Sequence, residues 1–411
     1  MQSNSVRLVD AQSLPLWRRP ESLLYLLAAA MPLSFATWSA LLNNFVVEVA
    51  GFTGTEIGWL HTVREIPGLL AIGVIALLLL LREQRLAVIA LALLGAASAV
   101  TAWFPSFSGI LVTTLLSSIG FHYFETVNQS LQLQWIDKAR APIVLGRIVA
   151  VGAGTSLVVY GIIVALWDAL GLSYDTVYLA SGGLTVIIAV FVALAYPQFE
   201  APHKQHRHMV LRRRYWLYYA LQFMAGARRQ IFVVFAGFMM VERFGMKVSE
   251  MTALLLVNYL INMAIAPAMG RALGRYGERK VMGIEYVGLT LVFLAYGGLY
   301  WFGWGLVVAC GLYVLDQLFF ALSFSLKTYF QKIADPRDIA PTQAVAFTIN
   351  HIAAVFLPAS LGYLWATSPD YVFLLGAGMA LVAVGLICLI PRHPEPGHET
   401  ILSRALPQPA E

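Results

Sequence analysis

Two adjacent arginines, Arg228 and Arg229, stand in an otherwise apolar run, 14 residues beyond Arg214 at the end of a basic stretch. In a helix rising about 1.5 Å per residue that separation is roughly 20 Å. A guanidinium presents a planar fork of donors that grips a carboxylate or phosphate through two bonds at once. Neighbouring helical positions point about 100° apart, so the two forks cannot converge on one place. The expected division leaves one arginine open to an anionic group and pairs the other with a carboxylate at a helix interface. The plainer alternative is that both form structural ion pairs.

Carboxylates able to answer them lie in two other apolar runs. His122, Glu125, Gln129 and Gln132 recur at helical spacing and form one stripe, with Asn128 beside it. A seam of hydrogen bonds to neighbouring helices would explain the stripe equally simply. Asp316, Ser323 and Lys327 also share a face in a regular helix, since eleven residues make about three turns. Lys327 could instead reach along its stem to the membrane surface. Glu125 and Asp316 are proton-carrier candidates, and Glu125, Asn128 and Lys327 join Arg228 and Arg229 as solute-contact candidates. His351, after Asn350, reads most simply as a satisfied buried histidine, and as a proton carrier in the sharper reading. Arg64 and Glu65, just before Pro67 and Gly68, suggest a gate or a local ion pair. Asn258 and Asn262, four apart, suggest glue between helices. Asn43 and Asn44 complete the set.

Charged groups at such depth cost about 2.5–3.5 kcal/mol each to insert, which makes them functional candidates by default. Counting Arg64, Glu65, Glu125, Arg228, Arg229, Asp316 and Lys327 gives four cations and three anions. That surplus suits a solute carrying a carboxylate or phosphate. Enzymatic chemistry finds no footing: GxSxG, HExxH and P-loop motifs are absent, and the links are too short for a catalytic domain. Cys310 and Cys388 both sit in apolar runs, without zinc spacing. Neither a resident metal nor a cofactor is indicated.

The elements that must position these groups are membrane helices. Hydrophobic residues make up 59% of the 411 and charged residues only 12%, against about 25% charged in a soluble domain. Such a chain needs lipid as part of its solvent. Apolar stretches fall at 22–47, 57–81, 86–103, 109–136, 145–167, 174–196, 215–241, 249–270, 281–301, 305–331, 342–366 and 371–390. The fourth, seventh and tenth run long, as tilted spans do. The first follows Arg7, Arg18 and Arg19; its length marks a retained span and not a cleaved leader. With the amino terminus cytoplasmic, 21 Lys and Arg fall on the inner side and only Arg243 and Lys247 outside. Both termini are therefore expected in the cytoplasm. The basic links meet anionic headgroups and call for no nucleic acid.

The longest link, 197–214, divides the spans six and six, giving bundles at 1–196 and 215–391 with a tail at 392–411. The paired openings Ala141-Pro142 and Ala340-Pro341, each after a charged stretch, hint at duplication. Twelve spans, this split and cytoplasmic termini resemble the major facilitator superfamily. Its Gly-x-x-x-Asp-Arg-x-Gly-Arg-Lys loop is similar to the stretch GRALGRYGERK, through Gly270, Arg275, Gly277, Arg279 and Lys280. Gly274 replaces the family's Asp, and the first-half counterpart, LREQR, barely matches, so any latch made by that Asp must be made otherwise.

The resemblance implies an all-α membrane protein: twelve transmembrane helices in two pseudo-symmetric six-helix bundles around a central cavity lined by the first, fourth, seventh and tenth spans. It further implies alternating-access transport of a small solute in a bacterial inner membrane. With the arginine pair, the expectation is a monomeric, proton-coupled carrier of an organic anion or zwitterion. Drug efflux is the runner-up, weakened because no proline follows Pro142 among Gly146, Gly152, Gly154 and Gly161. Copper-type import lacks its Met-x3-Met and His-x3-Met pairs, since Met239-Met240 and Asn262-Met263 are spaced differently. A membrane sensor or scaffold would bind a ligand without moving it.

Overall fold

The computed structural model describes residues 14–70, 73–78, 80–136, 140–199, 211–335 and 338–403. Most of the expected link 197–214, the tail beyond 403 and Arg7 lie outside the described residues. Apolar runs in lipid must satisfy every backbone group internally, and these do so as helices. The described chain falls into two compact units.

Unit one comprises Met1–Gly51, Val63–His206 and Val248–Ala253. It holds α1 (Pro20–Glu48), the later part of α2 (Gly54–Leu69), α3 (Gly73–Leu77), α4 (Glu83–Ala99), α5 (Phe107–Trp135), α6 (Ala141–Leu170) and α7 (Tyr174–Ala195). Ser106 and Ser173 cap α5 and α7, each accepting from a backbone N–H three residues on. Where lipid surrounds a bundle, small residues let backbones close on one another. A Cβ on Gly182 would strike the backbone of Gly95 and Ala99, and one on Gly120 would lie 2.6 Å from the Ala90 carbonyl. Thus α4 is held tightly between α5 and α7. Ser34 of α1 donates to Thr185 of α7 at 2.8 Å. Around this, Leu23, Leu27, Leu91, Phe124 and Val192 form a buried core.

Unit two comprises Phe52–Thr62, Arg207–Lys247 and Leu254–Glu411. It contains α8 (Trp216–Ile231), α9 (Gly237–Glu242), most of α10 (Val248–Tyr276), α11 (Glu278–Trp301), α12 (Leu306–Phe320), α13 (Phe324–Ile333), α14 (Ile339–Trp365) and α15 (Pro369–Ile387). Tyr218 stacks on Phe330 with ring centres 4.2 Å apart, in a core shared with Met282, Leu289 and Ala380. Ten stretches among the described residues are long and apolar enough to cross a membrane. The pair α2–α3 and the 17-residue α4 complete the expected twelve.

The opening of α2 packs directly on α14. Gly54, Gly58 and Gly362 leave no room for side chains: a Cβ on Gly58 would strike the Pro358 carbonyl and approach Gly362 Cα to 3.1 Å. Beside them the Thr62 hydroxyl donates to the Val355 carbonyl at 2.7 Å and accepts from the Ala359 amide at 3.1 Å. Those two groups are the ends of one helical rung of α14, immediately next to Pro358.

Two further devices tie unit two together. Asp338, at the head of α14, receives Arg212 at 3.2 Å, Arg214 at 3.0 Å and the Tyr215 hydroxyl at 3.1 Å. Burial opposes its ionisation, but the hydrogen bonds from Arg212, Tyr215 and Arg214 outweigh that and hold its carboxyl below the usual carboxylate range. At the other end of the sequence, the segment after α15 folds back. Tyr329 donates to the Glu399 carbonyl at 2.7 Å, and the Ile401 amide bonds Leu389 at 2.9 Å. The first part of the expected tail is therefore docked.

Candidate functional site

The arginine pair lies at the end of α8, and the chain there departs from regular α-helix. A π-helical turn, Phe232–Ala236, follows at once and leads into α9. Such turns shift the register of everything beyond them and are common at functional sites. Two residues before the pair, Gly226 admits α14: a Cβ there would sit 2.9 Å from the Asn350 side chain and carbonyl. That close approach brings Asn350 to Arg229, whose Nη2 donates to the amide oxygen at 3.5 Å.

The two guanidiniums occupy different surroundings. Arg228 is 1% exposed, with Nη1 3.6 Å from Asp316 Oδ2 on α12, itself fully buried. Its guanidinium lies over the Phe320 ring, 5.0 Å from the centre. Arg229 is only half-buried. A third buried charge joins the first two: Glu285 of α11, 1% exposed, within electrostatic reach of both Arg228 and Asp316.

Phe320 has a second role in the geometry. With Asn262, Met269, Gly270, Gln317 and Ser323 it lines an open depression of about 500 Å³ between α10 and the α12–α13 span. A 3-10 turn, Ala321–Ser323, joins α12 to α13 here. That turn winds faster than an α-helix, so the expectation of one common face for Asp316, Ser323 and Lys327 needs correction. Asp316 is buried, Ser323 borders the depression, and Lys327 is exposed.

Other expected residues of unit two are dispersed. Asn258 is buried, and neither side-chain amide atom has a hydrogen-bond partner among the described residues. His351 is buried, its Nδ1 2.9 Å from the Phe347 carbonyl and its ring against Phe347. In the loop resembling the family motif, Gly277 takes a left-handed φ of 77°, a conformation glycine adopts at no steric cost. Arg275 lies over the Tyr276 ring. Arg279 is half-buried and Lys280 exposed. The next acidic residue in that loop, Glu278, is buried and receives Lys332 of α13 at 2.8 Å. This is a concrete contact where the family's Asp is missing.

In unit one, Arg64 donates to Glu65 through Nε at 3.1 Å and lies over the Trp38 ring at 5.2 Å. A carboxylate oxygen of Glu65 and a ring nitrogen of His122 come within 4.8 Å. One turn further along α5, half-buried Glu125 accepts from Gln129 at 3.3 Å, and Asn128 is buried. Asn44 donates to Glu48 at 2.8 Å, and Tyr174 donates to the same carboxylate at 2.6 Å.

Sequence reasoning missed two acids. Glu285 stands alone in the ninth apolar run, where a residue-by-residue count would have found it. Including it brings the balance to four cations and four anions, so the positive surplus disappears. Glu242, at the end of α9, accepts from the indole of buried Trp365 at 2.9 Å. No spacing rule would have paired them.

Comparison with known proteins gives a consistent picture. The sequence model of the family described as Major Facilitator Superfamily matches residues 24–358. No curated protein sequence matches. Among solved structures, a point mutant of the nucleoside transporter NupG superposes with a TM-score of 0.73 at 15% identity, covering 90% of this chain and 99% of that one. A D-xylose–proton symporter gives 0.68 at 9% identity, over 89% and 96%. A bacterial homologue of the human lysosomal transporter Spinster, inward-facing and occupied, gives 0.67 at 12%, over 89% and 95%. At such identities the likeness is one of fold.

Proposed function

Since the chain belongs to the major facilitator superfamily and is a transporter and not an enzyme, we propose that it moves a small organic anion or zwitterion by proton-coupled alternating access. One observation carries the choice of solute. Arg228 is buried against Asp316, whereas Arg229 is half-buried, with Asn350 among its contacts. A half-buried guanidinium can add a carboxylate or phosphate at a lower desolvation cost than one sealed inside an ion pair. Glu125, Asp316 and His351 are the groups proposed to carry protons, while Asn128 and Lys327 are proposed as further solute contacts.

A second reading has its own support. The balanced charges, and Asn262 and Gln317 at the depression, suit a neutral hydroxyl-rich solute. The nucleoside transporter and the xylose symporter of similar fold keep that class in the test. Thermal-shift measurements with small carboxylates, phosphomonoesters, sugars and nucleosides separate the two, because binding to the native state raises the melting temperature. A carboxylate or phosphomonoester is expected to stabilise the protein. Arg229→Lys is expected to weaken that ligand about tenfold, equivalent to about 1.4 kcal/mol, with folded yield preserved. Stabilisation by sugars or nucleosides alone, unchanged in Arg229→Lys, would discard the anion reading.

The proposed setting is a monomer in a bacterial inner membrane with both termini cytoplasmic; the orientation rests on the 21-to-2 distribution of basic residues. In intact cells, a single cysteine at Thr53 should react with an impermeant thiol reagent and one at Arg275 should not. The reverse pattern would invert the assignment.

A further inference from the structure

We propose that Asp316 and Glu285 hold one proton between them beside Arg228, making Glu285 of α11 a proton-binding residue of this carrier. The first ground is charge. Arg228, Asp316 and Glu285 are each at most 1% exposed, and if all three were ionised the enclosure would carry one net negative charge. Even a partly relaxed buried ion costs several kcal/mol. One added proton makes the cluster neutral.

The second ground is geometry. Arg228 reaches Asp316 at 3.6 Å, too long for a hydrogen bond. Neither Asp316 oxygen, nor Glu285 Oε2, nor Arg228 Nε or Nη2 has a hydrogen-bond partner among the described residues. A carboxyl that gains a proton becomes a donor as well as an acceptor, and can bond an oxygen that the Arg228 nitrogens leave unbonded. Among the described residues, tyrosines face the cluster: Tyr286 toward Glu285 and Arg228, and Tyr296 and Tyr313 toward Asp316. They can donate hydrogen bonds but add no compensating cation. From α8, Arg229 projects about 100° away from Arg228 and donates to Asn350.

The third ground is access. Phe320 covers the Arg228 guanidinium on one side and lines the 500 Å³ depression on the other. Gln317, next to Asp316 in sequence, lines it too. A solute that shifts Phe320 therefore alters the screening of Arg228, and with it the cluster's hold on the proton. The use made of the proton rests on the transport reading; its presence in the cluster does not.

Infrared difference spectroscopy of the purified protein in lipid nanodiscs at neutral pH tests this with no solute present. A protonated-carboxyl C=O band that shifts in D2O is expected. Glu285→Gln and Asp316→Asn should each abolish it, because one remaining carboxylate is neutralised by Arg228 alone. Glu285→Asp, which keeps the acid, should move the band without removing it, and serves as the second variant if Glu285→Gln folds poorly. A band unaffected by substitution at Glu285, or the absence of any such band, would overturn the proposal. Either result would leave the solute reading to be judged by the thermal-shift experiment.

Discussion

Arg228→Met is expected to remove most of the folded protein from a membrane preparation. The substitution leaves Asp316 and Glu285 buried in unit two without the guanidinium that faces both. Breaking one side of a buried ion pair costs about 3–5 kcal/mol, a large part of a domain's total stability of about 5–15 kcal/mol. Apparent melting temperature in detergent and the monodisperse fraction on size exclusion are the measurements. The companion variant decides the cause. Arg228→Met combined with Asp316→Leu removes both charges, and replacing an ion pair by apolar groups of similar volume is often neutral or stabilising. The double variant should therefore recover much of the loss. If it is as unstable as the single variant, the guanidinium acts through packing against Phe320 and not through charge. Arg229→Lys, one residue away, should melt almost as the parent does.

The second large effect is expected at a residue with no side chain. In Gly58→Ala the new Cβ runs into the backbone of α14 at Pro358 and Gly362, and neither can rotate aside. Overpacking of this kind costs about 1–3 kcal/mol. The cost should appear locally as well as globally, as faster amide hydrogen exchange across residues 355–362, where α14 loses its neighbour. Gly154→Ala is the control. A Cβ there meets nothing within 4 Å, and alanine is favoured over glycine inside a helix by about 0.5–1 kcal/mol. Equal melting temperatures for the two variants would show that the α2–α14 contact contributes nothing to this conformation.

Much of the fold could be read directly. Twelve apolar runs, with a charge-poor composition, leave helices crossing lipid as the only economical arrangement, and the boundaries follow the runs. What eluded the sequence were departures from regular helix and meetings between distant residues. The 3-10 turn at 321–323 carries no composition signal, and it undid the shared face proposed for Asp316, Ser323 and Lys327. The π turn after Ile231 is equally silent. Arg228 and Asp316 were both recognisable as buried charges, because hydrocarbon makes any charge conspicuous. Their pairing is set by the packing of α8 and α12, which no local spacing encodes. Glu285 was legible and simply uncounted. Glu278 shows a different limit: its pairing with Lys332 involves a position where the loop motif prescribes nothing.

The Thr62 hydroxyl has a bearing on how easily the α2–α14 contact can come apart. It both donates to Val355 and accepts from Ala359. Withdrawn, it strands neither group, since a helical amide and the carbonyl four residues before it are each other's ordinary partners. Thr62 has its own refuge in the carbonyl of Gly58, four residues back on α2, the usual retreat of a threonine within a helix. Parting at Thr62 thus exchanges one set of hydrogen bonds for another, and the resistance that remains is the 3.1 Å bond from the Trp59 indole to the Tyr363 hydroxyl and the van der Waals contact of three glycines with their neighbours. Dispersion of that kind fades within about an ångström of separation. The contact is short-ranged, with a single half-exposed hydrogen bond to break at Trp59, and behaves more like a magnetic catch than a bolt.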